Sequence, residues 1–317
     1  MTHNDTRRVV VTGAAGFLGS HLCRALLGRG EQVVGIDNLS TGRQAGIADL
    51  MEHPSFSLLR ADVSEPFAID GPVTAVLHLA CPASPTAFSR MPVETLRAGS
   101  VGTLNALELA RANGARVLVA SSSEVYGDPQ VHPQEESYRG NVDPVGPRSM
   151  YDEAKRFSEA AATAYRGHFG VDTAIVRPFN VYGPGMWPDD GRAVAAFCAA
   201  ALRGETLKLH GDGKQTRSLC YVDDLIRGLL AMLDSTEPGP LNLGSENEIT
   251  MRELAEQIIH AAGAGKIDFL PAREQDVRGR RPDISRARRL LGWQPTTSLQ
   301  EGLAHTISWM RRQLQEA

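Results

Sequence analysis

The stretch Val11-Thr12-Gly13-Ala14-Ala15-Gly16-Phe17-Leu18-Gly19 constrains the fold more than any other part of the chain. It follows the β-branched run Arg8-Val9-Val10-Val11, which reads as a buried strand. It runs into His21-Leu22-Cys23-Arg24-Ala25-Leu26-Leu27, whose apolar residues recur at helical spacing. Three glycines therefore sit on a strand-to-helix turn. Gly13 permits the tight turn, Gly16 lets backbone amides approach a pyrophosphate, and Gly19 lets the helix pack closely on the strand. The helix start offers free N–H groups and a partial positive charge to phosphate. A second apolar run, Gln32-Val33-Val34-Gly35-Ile36, ends at Asp37. A carboxylate there can accept hydrogen bonds from a ribose diol and repel a 2′-phosphate. Strand, glycines, helix, strand and acid in that order predict a dinucleotide site that favours NAD. Arg43, close to Asp37, leaves NADP open.

Up to about residue 180 strands and helices alternate. Val9–Thr12, Val33–Asp37, Ser57–Arg60, Ala75–Leu79, Val117–Ser121 and Thr173–Arg177 read as strands, with helices over 17–29, 44–53, 93–113 and 151–169. This predicts an α/β fold of Rossmann type, a doubly wound parallel sheet, with residues 1–180 as the NAD-binding domain. From residue 181 Pro, Gly and Trp become frequent. Strands Leu207–His210 and Pro240–Leu243 and helices 193–203, 222–234, 250–262, 284–291 and 299–315 are assigned to a smaller C-terminal lobe, 181–317, that binds substrate. Helix 222–234 is expected to pack back on the first domain.

Ligands in such sheets bind beyond the carboxyl ends of the strands. Candidate cofactor contacts therefore lie in successive loops. Gly13, Gly16, Phe17, Leu18 and Gly19 belong to the first, and Asp37, Asn38, Ser40 and Gly42 to the second. Asp62 and Val63, then Leu79 and Ala80, and finally Phe179 follow.

With 42% hydrophobic residues and a net charge of -4, the chain reads as an ordinary soluble protein, with no cue for nucleic acid or an anionic membrane as partner. No apolar run has the length of a membrane span, and Met1–Arg8 lacks the apolar core of a secretion signal. Cys23, Cys81, Cys198 and Cys220 are scattered without metal-ligand spacing. They read as free thiols in a reducing cytoplasm.

Tyr151 and Lys155 stand four apart on a helix and share a face. An ammonium beside a phenol is expected to lower its pKa, so that it can exchange a proton with a substrate hydroxyl near neutral pH. The pair follows Ser121-Ser122-Ser123-Glu124-Val125-Tyr126-Gly127 at a strand end, where a hydroxyl can hold the same substrate oxygen. Together these predict a Ser/Tyr/Lys dehydrogenase centre beside a nicotinamide.

Several further segments carry a resemblance. They are His78-Leu79-Ala80-Cys81-Pro82-Ala83-Ser84-Pro85, Ser123-Glu124-Val125-Tyr126-Gly127-Asp128-Pro129, Ser149-Met150-Tyr151-Asp152-Glu153-Ala154-Lys155-Arg156, Arg177-Pro178-Phe179-Asn180-Val181-Tyr182-Gly183-Pro184, Asp189-Asp190-Gly191-Arg192, Gly211-Asp212-Gly213-Lys214-Gln215-Thr216-Arg217 and Arg280-Arg281-Pro282-Asp283-Ile284. With them the chain resembles the extended short-chain dehydrogenase/reductases that act on nucleotide sugars, and among those the UDP-glucuronate decarboxylase branch. The resemblance implies NAD-dependent conversion of UDP-glucuronate to UDP-xylose. Oxidation at C4 puts the C6 carboxylate β to a ketone, carbon dioxide leaves, and the cofactor is regenerated.

It also implies roles. Ser122, Tyr151 and Lys155 match the family triad, with Glu124 beside the reacting centre as a carboxylate facing the substrate carboxylate. Ser123 and Arg217 match residues that contact that carboxylate or donate a proton; Arg217 reads alternatively as a phosphate or lobe-closing contact. Asn180, Arg192 and Arg280 match positions that hold the diphosphate and uridine, with Pro85 and Gln215 also assigned to substrate. Tyr221 either lines the nucleoside pocket or belongs to the core, and His78 is read as structural. The family usually has Asn where Gly99 stands, a loss expected to weaken nicotinamide placement or leave room for water. A homodimer is implied, pairing helices 93–113 and 151–169 through Leu104, Leu107 and Ala110 and through Ala160, Ala161 and Ala164. Competing readings are a nucleotide-sugar 4-epimerase, a 4,6-dehydratase, and an NAD-binding regulator on the same fold.

Overall fold

The computed structural model describes residues 7–272 and 279–316; most of the polar Met1–Arg8 stretch lies outside them. The first half of the chain builds β1 (Arg8–Thr12), α1 (Phe17–Gly28), β2 (Gln32–Ile36), α2 (Ala48–Met51), β3 (Phe56–Leu59), β4 (Ala75–His78), α3 (Pro85–Arg90), α4 (Pro92–Arg97), α5 (Thr103–Asn113), β5 (Arg116–Ala120), α6 (Ser149–Phe169) and β6 (Thr173–Pro178). The second half builds β7 (Val181–Tyr182), α7 (Ala193–Leu202), β8 (Thr206–His210), β9 (Thr216–Ser218), β10 (Cys220–Tyr221), α8 (Val222–Asp234), β11 (Leu241–Leu243), β12 (Glu248–Thr250), α9 (Met251–Ala262), β13 (Lys266–Leu270), β14 (Gly279–Arg280), α10 (Ser285–Leu291) and α11 (Leu299–Glu316).

Seven parallel strands form the central sheet in the order β11-β6-β5-β4-β1-β2-β3. The Val-rich strands are buried on both sides, as a sheet covered by helices requires. On one side Leu22 and Leu26 of α1 join Leu225 and Leu229 of α8. On the other, Ala106, Leu107 and Ala110 of α5 and Ala161 and Ala162 of α6 cover Val10, Val76, Val117 and Val119. The winding reverses between β1 and β4. That reversal opens a crevice beyond their carboxyl ends.

Two expectations need correction. Leu241–Leu243 is not a strand of the smaller lobe: it pairs with β6 as the edge of the main sheet. Its alternation gives no cue to so distant a partner. The segment read as one helix, 93–113, is α4, a π turn over Ala98–Gly102, and α5, with the unforeseen α3 before it. Gly99 and Gly102 lie on the π turn at very close approaches. A Cβ at Gly99 would come within 2.6 Å of the Ala154 Cβ on α6. The hydroxyls of Thr103 and Ser158 both donate to the Gly99 carbonyl at 2.8 Å.

The space that the missing Asn was expected to leave is thus filled by α6, not by water. Gly99→Asn is expected to destabilise the protein by about 1–3 kcal/mol through overpacking. Chemical denaturation checks this, and an unchanged midpoint would contradict the packing argument.

Candidate active site

A cavity of about 810 Å³ follows the carboxyl ends of β1 to β6 and continues between the sheet and the smaller lobe. Its first part is the nucleotide wall. Gly13 has φ +73°, and a Cβ there would press on the Ala80 backbone at 3.0 Å. A Cβ at Gly19 would fall 1.9 Å from the Gly13 carbonyl, so only glycine lets α1 start this close to β1. No side chain caps the N-terminus of α1, and Phe17, Leu18 and Gly19 line the cavity there. Its first-turn amides are thus left for an anion.

Asp37 accepts from the amides of Ala15 at 2.9 Å and Leu39 at 2.8 Å, tying the tip of β2 to the glycine loop. Burial pushes its carboxyl above the usual range while those two amides work against the shift. Asn38 donates to Asp62 at 3.0 Å and accepts from the Ser40 amide at 3.0 Å. Thr12 accepts from Leu79 and Ala80, each at 3.2 Å, and its hydroxyl lies 2.8 Å from His78 Nδ1. Burial holds His78 down at about 3, so it is neutral and braces β1 against β4. The bare amides, the glycines and the acid suit the phosphates and ribose of a dinucleotide.

The middle of the cavity holds the triad. Ser122 accepts from the Glu124 amide at 3.2 Å and starts a 3₁₀ turn over Ser123–Tyr126. Its hydroxyl also acts on the nearby Tyr151 phenol, favouring the ionised form. Lys155 donates to the Ala120 carbonyl at 2.8 Å, and its Nζ lies 5.7 Å from the centroid of the Tyr151 ring. The expectation that Lys155 lowers the phenol pKa is not met. Burial pushes Tyr151 well up and the Cys81 thiol adds to the rise, while Ser122 opposes it only in part. The ammonium is turned to the end of β5 instead of the phenol oxygen.

Glu124 is not a bare carboxylate facing into the site. Arg280 Nη1 pairs with its Oε1, and Arg148 Nη2 lies 2.7 Å from its Oε2. Burial alone would raise this carboxyl; the two guanidiniums outweigh it and hold it down at about 2. The Arg280 side chain is buried between Glu124 and the Gly127 carbonyl, at 3.2 Å from the latter, and still lines the cavity. On the same turn of α6, burial and the nearby Glu124 charge push Asp152 up to about 7.

The lobe supplies the far end. Arg217 on β9 is the register partner of Arg280 on β14, and both line the cavity. Gln215 donates to the His210 carbonyl at 2.9 Å. Asn180 lines the cavity with φ +32°, and its buried Nδ2 has no hydrogen-bond partner among the described residues. Arg192 is paired in a fork with Asp190 at 2.5 and 2.7 Å and lies over the Phe17 ring. Pro85 lines the wall as the first residue of α3, which Ser84 caps by accepting from Ala87 at 3.3 Å.

Thus nearly all the expected residues meet in one cavity. Gly42, Phe179 and Tyr221 do not line it. Gly42 lies against Ala15 and beneath Asp37. Phe179 is fully buried with its ring 5.9 Å from Tyr126. Tyr221 packs on Tyr182 at 5.8 Å, so its core alternative is the one realised. Arg148 and Phe88 were missed. The available signal was a cation one turn before Tyr151, on the same face as the Tyr-x-x-x-Lys pair.

Residues 9–244 match the NAD dependent epimerase/dehydratase family. UDP-glucuronic acid decarboxylase 1 of Arabidopsis thaliana is 48% identical over 308 residues, covering 97% of this chain and 70% of the relative. UDP-glucuronic acid decarboxylase 1 of Xenopus tropicalis is 44% identical over 316 residues, covering 99% and 75%. Among solved structures, the UDP-glucuronic acid 4-epimerase of Bacillus cereus, in complex with UDP-glucuronic acid and NAD, superposes with a TM-score of 0.84 at 28% identity, covering 96% of this chain and 99% of that one. The dTDP-glucose 4,6-dehydratase of Streptomyces venezuelae, with NAD bound, gives 0.87 at 29%, covering 96% and 97%. With its glycine loop, its Ser122/Tyr151/Lys155 set and a match spanning residues 9–244, the chain belongs to the NAD dependent epimerase/dehydratase family.

Proposed function

We propose that this protein converts UDP-glucuronate to UDP-xylose and carbon dioxide. The observation that carries the reading is the Ser122/Tyr151/Lys155 set beside Glu124 in one cavity, in a chain 44–48% identical to UDP-glucuronic acid decarboxylases. The glycine loop and Asp37 would hold NAD. When bound, NAD supplies the acceptor for the electron pair leaving C4 and returns it at the end, so the reaction has no net redox change.

Tyr151 in its phenolate form takes the C4 hydroxyl proton while Ser122 holds the same oxygen. The C6 carboxylate is then β to a ketone, and the electrons of the breaking C5–C6 bond pass into an enolate. Tyr151 and Ser122 stabilise that enolate oxygen. Ser123 and Arg217, at the cavity wall, receive the carboxylate or supply the C5 proton. Glu124, compensated by two guanidiniums, does not repel the substrate carboxylate; the cluster around it carries net positive charge and attracts it. Asn180 and Arg192 are assigned to the diphosphate side, with Arg192 leaving Asp190 for phosphate. We take residues 1–180 with α8 and β11 as the cofactor half, and the rest of 181–317 as the nucleotide-sugar half. Incubation with UDP-glucuronate and one NAD per ten or so subunits should give carbon dioxide and a UDP-pentose in excess of NAD. A UDP-hexuronate epimer alone would favour the 4-epimerase.

Arg43 is engaged: its guanidinium pairs with Asp189, at 2.6 Å to one oxygen, and stacks 4.5 Å from the Trp187 ring. Receiving a 2′-phosphate would cost it these contacts. NADP should bind at least about tenfold more weakly than NAD, the scale of one lost charge contact. Equilibrium dialysis checks this, and equal affinities would contradict it.

The homodimer is proposed through α4, α5 and α6. Leu107, Ala110 and Ala161 are buried within the subunit and leave the expected face; Val93, Leu96, Val101 and Phe157 are exposed and form it with Ala160 and Ala164. Light scattering at micromolar concentration should give twice the 34.2 kDa chain mass. A single-chain mass would rule the dimer out. Among the described residues no helix is long and apolar enough to cross a membrane. The buried free thiols Cys23, Cys198 and Cys220 suit a reducing cytoplasm.

A further inference from the structure

We propose that Arg148, at the N-terminal cap of α6, is a positioning residue that keeps Glu124 ionised and, through Phe88, sets the ring of the proton acceptor Tyr151. The proposal deepens the decarboxylase reading and rests on it only for turnover.

The geometry is a continuous file. Phe88 of α3 stacks on Tyr151 with ring centroids 5.2 Å apart and planes 16° from parallel. The Arg148 guanidinium lies 5.3 Å from the centroid of the Phe88 ring. The same guanidinium places Nη2 2.7 Å from Glu124 Oε2. Arg280 closes the file from β14 by pairing with the other carboxylate oxygen. One planar cation thus lies over an aromatic ring and beside a carboxylate, a double contact that a lysine ammonium does not reproduce. Arg148 Nε is buried and has no hydrogen-bond partner among the described residues.

The charged and titratable groups around Glu124 are few. Arg280 comes from β14; Arg148, Tyr151 and Asp152 come from α6 and its cap. Tyr151 and Asp152 are both made harder to ionise by the Glu124 charge. Arg148 is the group on α6 that favours that charge. Without it Glu124 keeps one cation against its burial.

The test uses Arg148→Gln, Arg148→Lys and Phe88→Leu in the full chain. Carbon-13 NMR of glutamate-labelled protein, with Glu124→Gln identifying the resonance, follows the Glu124 carboxyl without substrate. In Arg148→Gln its titration should move up by about one pH unit or more, the scale of losing one adjacent opposite charge. With substrate, kcat should fall more than KM rises. Arg148→Lys should restore the titration at least in part without restoring kcat fully. Phe88→Leu should leave the titration in place and lower kcat about tenfold by loosening Tyr151. An unmoved Glu124 titration in folded Arg148→Gln would overturn the proposal, as would wild-type kcat in Phe88→Leu. Should Arg148→Gln fail to fold, Arg148→Lys and Phe88→Leu decide by the same readings. A wild-type protein that makes no pentose would break the decarboxylase reading, while the titration would still decide the role of Arg148.

Discussion

Tyr151→Phe is expected to lower the rate of C4 oxidation by about 10²–10⁴-fold, the usual worth of a positioned acid–base group. The substitution removes the phenol oxygen that meets Ser122 and keeps the ring that stacks 5.2 Å from Phe88. NAD retention should stay close to wild type, because the glycine loop and Asp37 are untouched. Stopped-flow absorbance of the reduced cofactor checks the first statement and equilibrium dialysis the second. A loss under about tenfold would place the proton acceptor elsewhere. The free-protein phenol is poorly poised to lose its proton, since burial raises it and Lys155 points at Ala120. The acidic limb of the oxidation rate should therefore rise with pH across the neutral range.

Arg280→Met is expected to destabilise the fold by about 3 kcal/mol, the low end for removing one partner of a buried ion pair, because Glu124 keeps Arg148 as its second cation. Arg280 is buried and its partners, Glu124 and Gly127, lie 156 and 153 residues away in sequence, so the pair fastens β14 to the turn after β5 that begins at Ser122. The effect depends on pH in a definite direction. The Glu124 carboxyl is held down at about 2 in the folded chain against about 4.5 unfolded. The corresponding stability, about 3 kcal/mol, is fully present above pH 4.5 and is lost as pH falls toward 2. The gap between wild type and Arg280→Met in urea denaturation should therefore shrink below pH 4.5. A gap under about 1 kcal/mol at pH 7 would show the pair to be energetically idle.

What was legible in the sequence follows from range. Val9–Val11, the three glycines and Asp37 lie within thirty or so residues, and each acts through its neighbours: strand pleat, tight turn, helix start. Tyr151 and Lys155 share a helix face whatever surrounds them. The Arg148–Glu124–Arg280 cluster joins a helix cap, a strand-end turn and a lobe strand, and no spacing announces it. Leu241–Leu243 likewise finds β6 across more than sixty residues. The π turn at Ala98–Gly102 was hidden because α4 and α5 keep helical apolar spacing on both sides of it; Gly99 and Gly102 read as weak helix formers instead of contact points with Ala154 and Val63. The Lys155 effect failed for another reason. Proximity along a helix says nothing about which carbonyl an ammonium chooses, nor about burial of the phenol.

The central claim is that these residues run oxidation, loss of carbon dioxide and reduction on one substrate without releasing it. Reaction of unlabelled UDP-glucuronate in D₂O tests this most directly. The account predicts UDP-xylose carrying one deuterium at C5 and hydrogen at C4, with carbon dioxide released in equal amount and no lasting reduced cofactor. Reduced cofactor accumulating one for one with substrate, or a C4-inverted hexuronate with its carboxylate intact, would contradict it.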